Sequence, residues 1–199
     1  VLNFLLGDLE TIPEDRGILL DTTYRLHPKI NEFISHNFYD DKLVCHKDNK
    51  LRSINLDGHP SIHSEGIFYI QADHEGNSQK SNTEAEIVQK LVKDFLGRDL
   101  FDTKGKKHQL NISDVLVISP YNAQTNYLVS KLDQGARVGT IDKFQGQQAS
   151  ITIISMTSSD AECLPRNLDF IFDRNRLNVA LSRSQLISIV IFNPRLLDT

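Results

Sequence analysis

The chain has 199 residues, of which 39% are apolar and 24% charged, and this balance is typical of one globular domain with a hydrophobic core. The formal net charge of -4 excludes a protein that wraps nucleic acid in a basic surface, so any strand contact must come from a local patch. No apolar run approaches the roughly 18 residues of a membrane helix, and Cys45 and Cys163 lack metal-site spacing, so we expect a cytoplasmic protein with no metal site and no membrane contact.

Apolar, strand-like runs alternate with segments of helical period along the whole chain. The pattern predicts strands over 18–21, 67–71, 115–119, 138–141, 151–156 and 186–192. It predicts helices over 28–39, 83–97, 123–132 and 177–182, with Thr83 and Glu86 forming the capping box of the second. Because the strands are apolar on both faces and helices separate them, the sequence predicts an α/β fold with a parallel sheet covered on both sides.

Four polar motifs follow predicted strands or stand beside them. In open parallel sheets ligands bind beyond the carboxyl ends of the strands, so we expect a functional site at that edge. The first motif is Thr23-Tyr24-Arg25-Leu26-His27-Pro28. An aromatic ring beside a guanidinium offers a stacking face and a planar fork that matches phosphate oxygens. The alternative is a tyrosine packed on the sheet edge and an arginine paired with a carboxylate, and the motif taken alone favours that alternative.

The second motif, Ser119-Pro120-Tyr121-Asn122-Ala123-Gln124, joins a predicted strand to a predicted helix. Helix amino termini attract phosphate, and side-chain amides bond to the backbone or the bases of nucleic acid. Ordinary capping of the helix by Asn122 explains the same residues without a ligand.

The third motif runs from Gly139 to Gln148 as Gly-Thr-Ile-Asp-Lys-Phe-Gln-Gly-Gln-Gln. Two glycines bracket hydroxyl, carboxylate, amine and amide groups, which a plain connector seldom needs at the end of a strand. A tight turn capped by Asp142 is the alternative, and the density of polar groups favours a functional role.

The fourth motif, 174–183, places arginines on a short helix before the last predicted strand. Arg183 lies at the end of that helix, where its long side chain could reach across a cleft. Surface ion pairing is the alternative, and it suits Arg174 better than Arg183.

In order and spacing, the four motifs resemble the carboxyl-terminal half of the superfamily 1 helicases. The resemblance covers residues 16–196 and is most specific in Asp142-Lys143-Phe144-Gln145-Gly146 and Asn178-Val179-Ala180-Leu181-Ser182-Arg183. It is closest to the branch of the nonsense-mediated-decay helicases and the Okazaki-fragment nuclease-helicases. Within that branch, 24–39 and 139–183 look most like bacterial helicases fused to a RecB-like nuclease.

This resemblance implies a role for each matching residue. Arg25 and Arg183 would be arginine fingers that face the γ-phosphate of ATP, where guanidinium groups stabilise the charge that develops on phosphoryl oxygens. Residues implied at the nucleotide are Tyr24, Gly146 and Gln148. Residues implied on the nucleic-acid side are Pro120, Tyr121, Gln124, Thr140, Asp142 and Gln145.

Gln148 departs from the family pattern. Family members commonly carry a glutamate at this position, and its carboxylate touches the ribose or nearby groups. A glutamine still donates and accepts hydrogen bonds but carries no charge. We therefore expect weaker or altered nucleotide coupling, not its loss.

Two motifs of a complete ATPase are missing from the sequence. It contains no Gly-x-x-x-x-Gly-Lys-Ser/Thr phosphate loop and no Asp-Glu pair after an apolar strand that would hold magnesium. The resemblance places both in a first motor domain, and the chain opens at Val1 without an initiator Met. We expect 1–199 to be the second RecA-like motor domain of a larger helicase. Its expected partners are an upstream RecA-like domain, ATP with Mg²⁺, a single strand of DNA and a fused RecB-like nuclease.

Two other functions compete with a motor. One is a RecA-like module that has lost motor activity and only positions nucleic acid or a partner; Gln148 supports it, and the two arginines oppose it. The other is a stand-alone hydrolase built on Asp21, His27 or Asp142. The seven histidines argue against the hydrolase because none forms a metal-binding pair on a helix, and His59 and His63 flank Pro60 beside Gly58.

Overall fold

The computed structural model describes residues 11–13, 15–59, 61–62, 64–162, 164 and 172–198, so His63 and Cys163 lie outside the described residues. The strands in chain order are β1 (Thr22–Thr23), β2 (Val44–Cys45), β3 (Ser53–Ile54), β4 (Gly66–Gln71), β5 (Asp99–Phe101), β6 (Lys107–Gln109), β7 (Val115–Ile118), β8 (Arg137–Gly139), β9 (Ala149–Ser155) and β10 (Ser184–Phe192). The α-helices are α1 (Pro28–Phe38), α2 (Asn82–Phe95), α3 (Asn122–Lys131) and α4 (Arg174–Leu181).

The main sheet has five parallel strands in the order β4-β10-β9-β7-β8. Successive side chains of a strand point to opposite faces, and β9 places Ile153 in one buried cluster and Ile154 in another. Helices α2 and α3 cover the first cluster with Val88, Phe95 and Leu128, and helices α1 and α4 cover the second. The predicted α/β fold, with a parallel sheet between two helical layers, is confirmed.

A second, three-stranded sheet was not predicted. Its order is β3-β5-β6 and both pairings are antiparallel. The strands have only two or three residues, and all three residues of β6 are exposed. Such strands show no alternation of apolar and polar residues, so periodicity cannot reveal them.

The predicted strand over 18–21 is wrong. Ile18 and Leu20 are 89% and 85% exposed, and the first ladder pair of this region joins Thr22 to Val44. The apolar run lies beside the short β1–β2 ribbon and not within it. Apolar character alone therefore gave a false signal, because no neighbouring strand pairs with 18–21 among the described residues.

The start of α2 also differs from the prediction. Ser81 is the N-cap residue, and its Oγ accepts a hydrogen bond from the backbone N–H of Glu84 at 3.2 Å. The predicted capping box at Thr83 is wrong because the N-cap lies two residues earlier, at Ser81, and the helix begins at Asn82. Glu84 then points into the protein, where it is 0% exposed. The helix ends at Phe95, ahead of Gly97, whose φ of 79° is left-handed.

Smaller differences affect the third and fourth motifs. The predicted strand 138–141 ends at Gly139, and Ile141–Phe144 form a 3₁₀ turn. The predicted helix 177–182 begins earlier, at Arg174, because the Asp173 carboxylate caps it by accepting the N–H of Arg176 at 2.7 Å.

Candidate active site

A cleft of about 430 Å³ opens beside the first motif. Its lining includes Tyr24 and Arg25 from the segment before α1, together with Gln148 and Ser182. Gln148 comes directly before β9, and Ser182 comes just before β10. Three motifs that are far apart in the chain therefore meet in one cavity.

The cleft lies at the amino ends of β9 and β10, which we call the amino edge of the main sheet. The strands are parallel, so the residues that precede β9 and β10 are neighbours in space. The backbone N–H of His27 donates to the carbonyl of Gln185 at 2.9 Å and ties the first motif to this edge. The expectation of a site at the carboxyl edge is wrong for Arg25, Gln148 and Arg183.

The Arg25 side chain is held by two acceptors. Its Nε donates to Oε1 of Gln148 at 2.9 Å, and its Nη1 donates to the carbonyl of Ser182 at 3.0 Å. Its own carbonyl accepts a hydrogen bond of 2.6 Å from Nη1 of Arg52. The backbone and the guanidinium of Arg25 are thus both fixed, although the side chain is only half-buried.

Arg183 enters the same edge from the end of α4. Its Nη1 donates to the carbonyl of Gln147 at 3.3 Å, and its buried Nε meets no acceptor among the described residues. Burial, and to a smaller extent the positive charge of Arg25, lowers the pKa of Arg183 from its ordinary value. An arginine stays protonated even so, which leaves two like charges close together with donor capacity to spare.

The acceptors around these arginines are uncharged. They are backbone carbonyls and the side-chain amide of Gln148, and no acidic side chain is among the described residues that line the cleft. Positive charge without a carboxylate partner is typical of a site that receives an anion from outside. The arrangement suits a phosphate group.

Tyr24 supplies an aromatic surface at the mouth of the cleft. Its side chain is 67% exposed, and its ring stacks on the ring of His46 with centroids 4.5 Å apart and planes 27° apart. A large exposed ring held by a stacking neighbour presents a flat face to a planar ligand.

Residues of the third motif line a second, smaller hollow of about 210 Å³. Asp142 and Gln145 are exposed there, opposite Arg176 and Arg183, and Oδ2 of Asp142 lies 3.9 Å from Nη2 of Arg176. Thr140 is half-buried at the end of β8, and Gly146 has a left-handed φ of 79°. The third motif therefore lies beside Arg176 and Arg183 and is also open to solvent.

The second motif is placed differently. Gln124 is 0% exposed; its Oε1 accepts the N–H of Ser81 at 2.9 Å, and its Nε2 donates to the carbonyl of Ser81 and to Oγ of Ser155, each at 3.1 Å. Of the three residues of this motif that are predicted on the nucleic-acid side, Tyr121 is 6% exposed and Pro120 alone is partly open to solvent. Gln124 therefore connects the start of α2 to β9 and does not face a bound strand of nucleic acid. The helical periodicity of the sequence did not predict this burial.

A buried polar cluster, the Glu84 network, fills the carboxyl edge of the sheet. The carboxylate of Glu84 accepts the backbone N–H of Thr157 at 2.9 and 3.0 Å and the hydroxyl of Ser155 at 2.6 Å. Nε2 of His74 lies 3.1 Å from Oε1 of Glu84, and its Nδ1 lies 2.8 Å from Oγ of Ser159. Sequence reasoning missed this network because its members are scattered from 74 to 159.

The Ser159-His74-Glu84 chain has the residue types of a hydrolase triad but not its access. Ser159 is 0% exposed, and its Oγ also accepts the N–H of Asn77 at 2.9 Å. A nucleophile must reach substrate, so this triad is structural. His27 is likewise buried; its Nδ1 caps α1, and burial lowers its pKa. Neither His74 nor His27 is therefore placed to act as the base of a stand-alone hydrolase.

Magnesium has no evident site in this part of the molecule. No group of three or more His, Cys, Asp and Glu side chains that could hold a metal ion occurs among the described residues. The residues present therefore do not fit a resident metal. Within the same ranges, no helix is both long and apolar enough to cross a membrane.

The chain matches a family model and several curated proteins. The model, described as an AAA domain (AAA_12), matches residues 5–195. An uncharacterized ATP-dependent helicase of Caenorhabditis elegans is 33% identical over 86% of this chain and 11% of its own length. The regulator of nonsense transcripts 1 homologues of Drosophila melanogaster and Arabidopsis thaliana are 31% and 30% identical over 92% of this chain, and 16% and 15% of their own lengths.

The comparison with solved structures adds less. The crystal structure of the helicase nsp10 of PRRSV aligns with 87% of this chain and 23% of that chain, at a TM-score of 0.36 and 14% identity, too low to support a conclusion. The chain spans less than a fifth of the length of the curated relatives named above. The match to residues 5–195 places the chain in the AAA domain family, as a RecA-like domain of the superfamily 1 helicase type.

Proposed function

We propose that this chain is the second RecA-like motor domain of an ATP-dependent nucleic-acid helicase. In this proposal it contributes Arg25 and Arg183 to an ATP site that an upstream RecA-like domain completes with a phosphate loop and the carboxylates for Mg²⁺. The observation that carries the proposal is the pair of arginines at the amino edge, with uncharged acceptors only.

The two guanidinium groups suit the hydrolysis of ATP. Water adds to the γ-phosphorus while the bond between that phosphorus and the β,γ-bridging oxygen breaks. ADP leaves with the electron pair of the broken bond, and the surplus proton of the water passes to solvent. Negative charge shifts among the phosphoryl oxygens during this step, and fixed cations stabilise it. Arg183 has an unused Nε donor and lies in the electrostatic field of Arg25, so both gain from an incoming anion.

Tyr24 and Gly146 belong to the nucleotide side of the proposed site. The exposed ring of Tyr24 would border the adenine, and the stack on His46 holds that ring in place. Gly146 lets the chain turn between the exposed third motif and Gln148.

A single strand of nucleic acid would lie against the third motif and Pro120. Asp142 and Gln145 link that surface to Arg183 through the hollow they share, and Thr140 lies beside them at the end of β8. Tyr121 and Gln124 are buried, so in this proposal they support the surface and do not contact the nucleic acid. DNA as the strand, a fused RecB-like nuclease and a cytoplasmic location follow from the resemblance alone and stay predictions.

Substitution of each arginine in the full-length protein tests the proposal. Arg25→Ala and Arg183→Ala should each lower strand-stimulated ATP turnover by roughly 10³-fold, as the loss of an arginine finger does elsewhere. Arg195→Ala is the matched control, because Arg195 pairs with Glu75 at the opposite edge of the sheet. Unchanged turnover in both arginine variants would favour the alternative, a motor-inactive module that binds nucleic acid or a partner.

A further inference from the structure

Gln148 makes its side-chain contact with Arg25. Oε1 of Gln148 accepts a hydrogen bond of 2.9 Å from Nε of Arg25, and among the described residues it is the one side-chain acceptor of this guanidinium. The other acceptor, the carbonyl of Ser182, is backbone and cannot be varied. Gln148 and the Ser182 carbonyl together orient Arg25, and Gln148 is the one that a substitution can remove.

Gln148 is itself held from behind. Nη1 of Arg137, at the start of β8, donates to the carbonyl of Gln148 at 3.2 Å and to that of Ser113 at 2.9 Å. Ala149, the next residue, begins β9 and donates its N–H to the carbonyl of Arg183 at 3.1 Å. An exposed side chain on so firmly fixed a backbone can position its partner.

The amide determines how strongly Arg25 is held. A guanidinium bonded to a neutral amide lacks the ion-pair attraction and the bidentate geometry that a carboxylate offers, so it is held less strongly. Gln148 therefore orients Arg25 without neutralising it. A glutamate here would hold Arg25 more tightly and compete with phosphate for the same donors.

We infer that Gln148 is a positioning residue that presents Arg25 to the γ-phosphate and leaves its charge available. This inference rests on the proposed function, because it needs Arg25 to act on ATP. It differs from a contact between position 148 and the ribose, since Gln148 would act through Arg25.

Two variants of Gln148 in the full-length protein test the inference through kcat and KM for ATP. Gln148→Ala should lower kcat about tenfold with little change in KM, which corresponds to the loss of one hydrogen bond to a charged group. Gln148→Glu keeps the acceptor and should restore most of kcat, but raise KM several-fold by competing for Arg25. A lower KM in Gln148→Glu would contradict the inference and support a ribose contact.

A double substitution shows whether Gln148 acts through Arg25. In an Arg25→Ala background, Gln148→Ala should cause no further loss of kcat; an additive tenfold loss would overturn the inference. Gln71→Ala is the matched control, because Gln71 is an exposed glutamine at the carboxyl end of β4, outside the four motifs. Its kcat, and the unfolding midpoint of every variant, should stay at the wild-type value.

The outcomes separate this inference from the proposed function. If Arg25→Ala and Arg183→Ala leave ATP turnover intact, the proposed function fails. If they abolish turnover while Gln148→Ala has the wild-type kcat, only the positioning role of Gln148 fails.

Discussion

The two edges of the main sheet use similar residues in opposite ways. At the amino edge, Arg25 and Arg183 are half-buried, face neutral acceptors, and leave a buried donor unused. At the carboxyl edge, the Glu84 carboxylate is 0% exposed and accepts from the hydroxyl of Ser155 and the backbone N–H of Thr157. Nε2 of His74 lies 3.1 Å from the same carboxylate. Arg183 keeps a donor without an acceptor among the described residues, whereas the Glu84 carboxylate is bonded within the protein.

The proposed site at the amino edge departs from the usual rule for parallel sheets, in which the carboxyl edge binds the ligand. Here the buried carboxylate of Glu84 lies at the carboxyl edge. The left-handed Thr157, with a φ of 78°, turns its N–H onto the same carboxylate. The Glu84 carboxylate is an anion already bonded within the protein, so we expect a phosphate at the arginines of the amino edge.

Removal of Glu84 should have the largest effect on stability. Glu84→Ala leaves the N–H of Thr157 and the hydroxyl of Ser155 without an acceptor in a dry interior. The free energy of unfolding should fall by about 3–5 kcal/mol, the usual cost of breaking a buried charged contact. Urea unfolding of this domain measures the change.

Glu86→Ala is the control for this prediction, since Glu86 lies one half-turn away on α2 and is exposed. A change below about 0.5 kcal/mol is expected for it. Equal losses of stability in the two variants would contradict the structural role of the buried Glu84 carboxylate.

A pair of glutamines gives a smaller contrast. Gln124→Ala strips partners from Ser81 and Ser155 and should cost about 1–3 kcal/mol, the penalty for unsatisfied buried groups. Gln145→Ala, at an exposed position, should leave stability unchanged within about 0.5 kcal/mol and weaken binding of a single strand. Urea unfolding and fluorescence anisotropy with a labelled oligonucleotide separate the two, and a stability loss for Gln145→Ala would contradict the assignment.

Much of the fold follows from the sequence, because long apolar runs such as β9 and β10 and the apolar stripe of α2 dominate it. The position of the site does not. Gln148 lies between β8 and β9, and Arg183 lies between α4 and β10. The order of the elements in the chain does not say at which edge of the sheet these two residues lie. Burial of Gln124 and Glu84 was also hidden, since a polar side chain enters the core only when partners from distant segments meet it.

The most direct test of the account compares the affinity of the full-length protein for ADP and for ADP with aluminium fluoride, a mimic of the transferring phosphoryl group. A residue that acts on the γ-phosphate strengthens binding of the mimic and not of ADP. Arg183→Ala should weaken binding of the mimic by about 100-fold or more and change the affinity for ADP by less than about threefold. Equal losses for both ligands, or no loss for either, would contradict a role of the amino edge at the γ-phosphate.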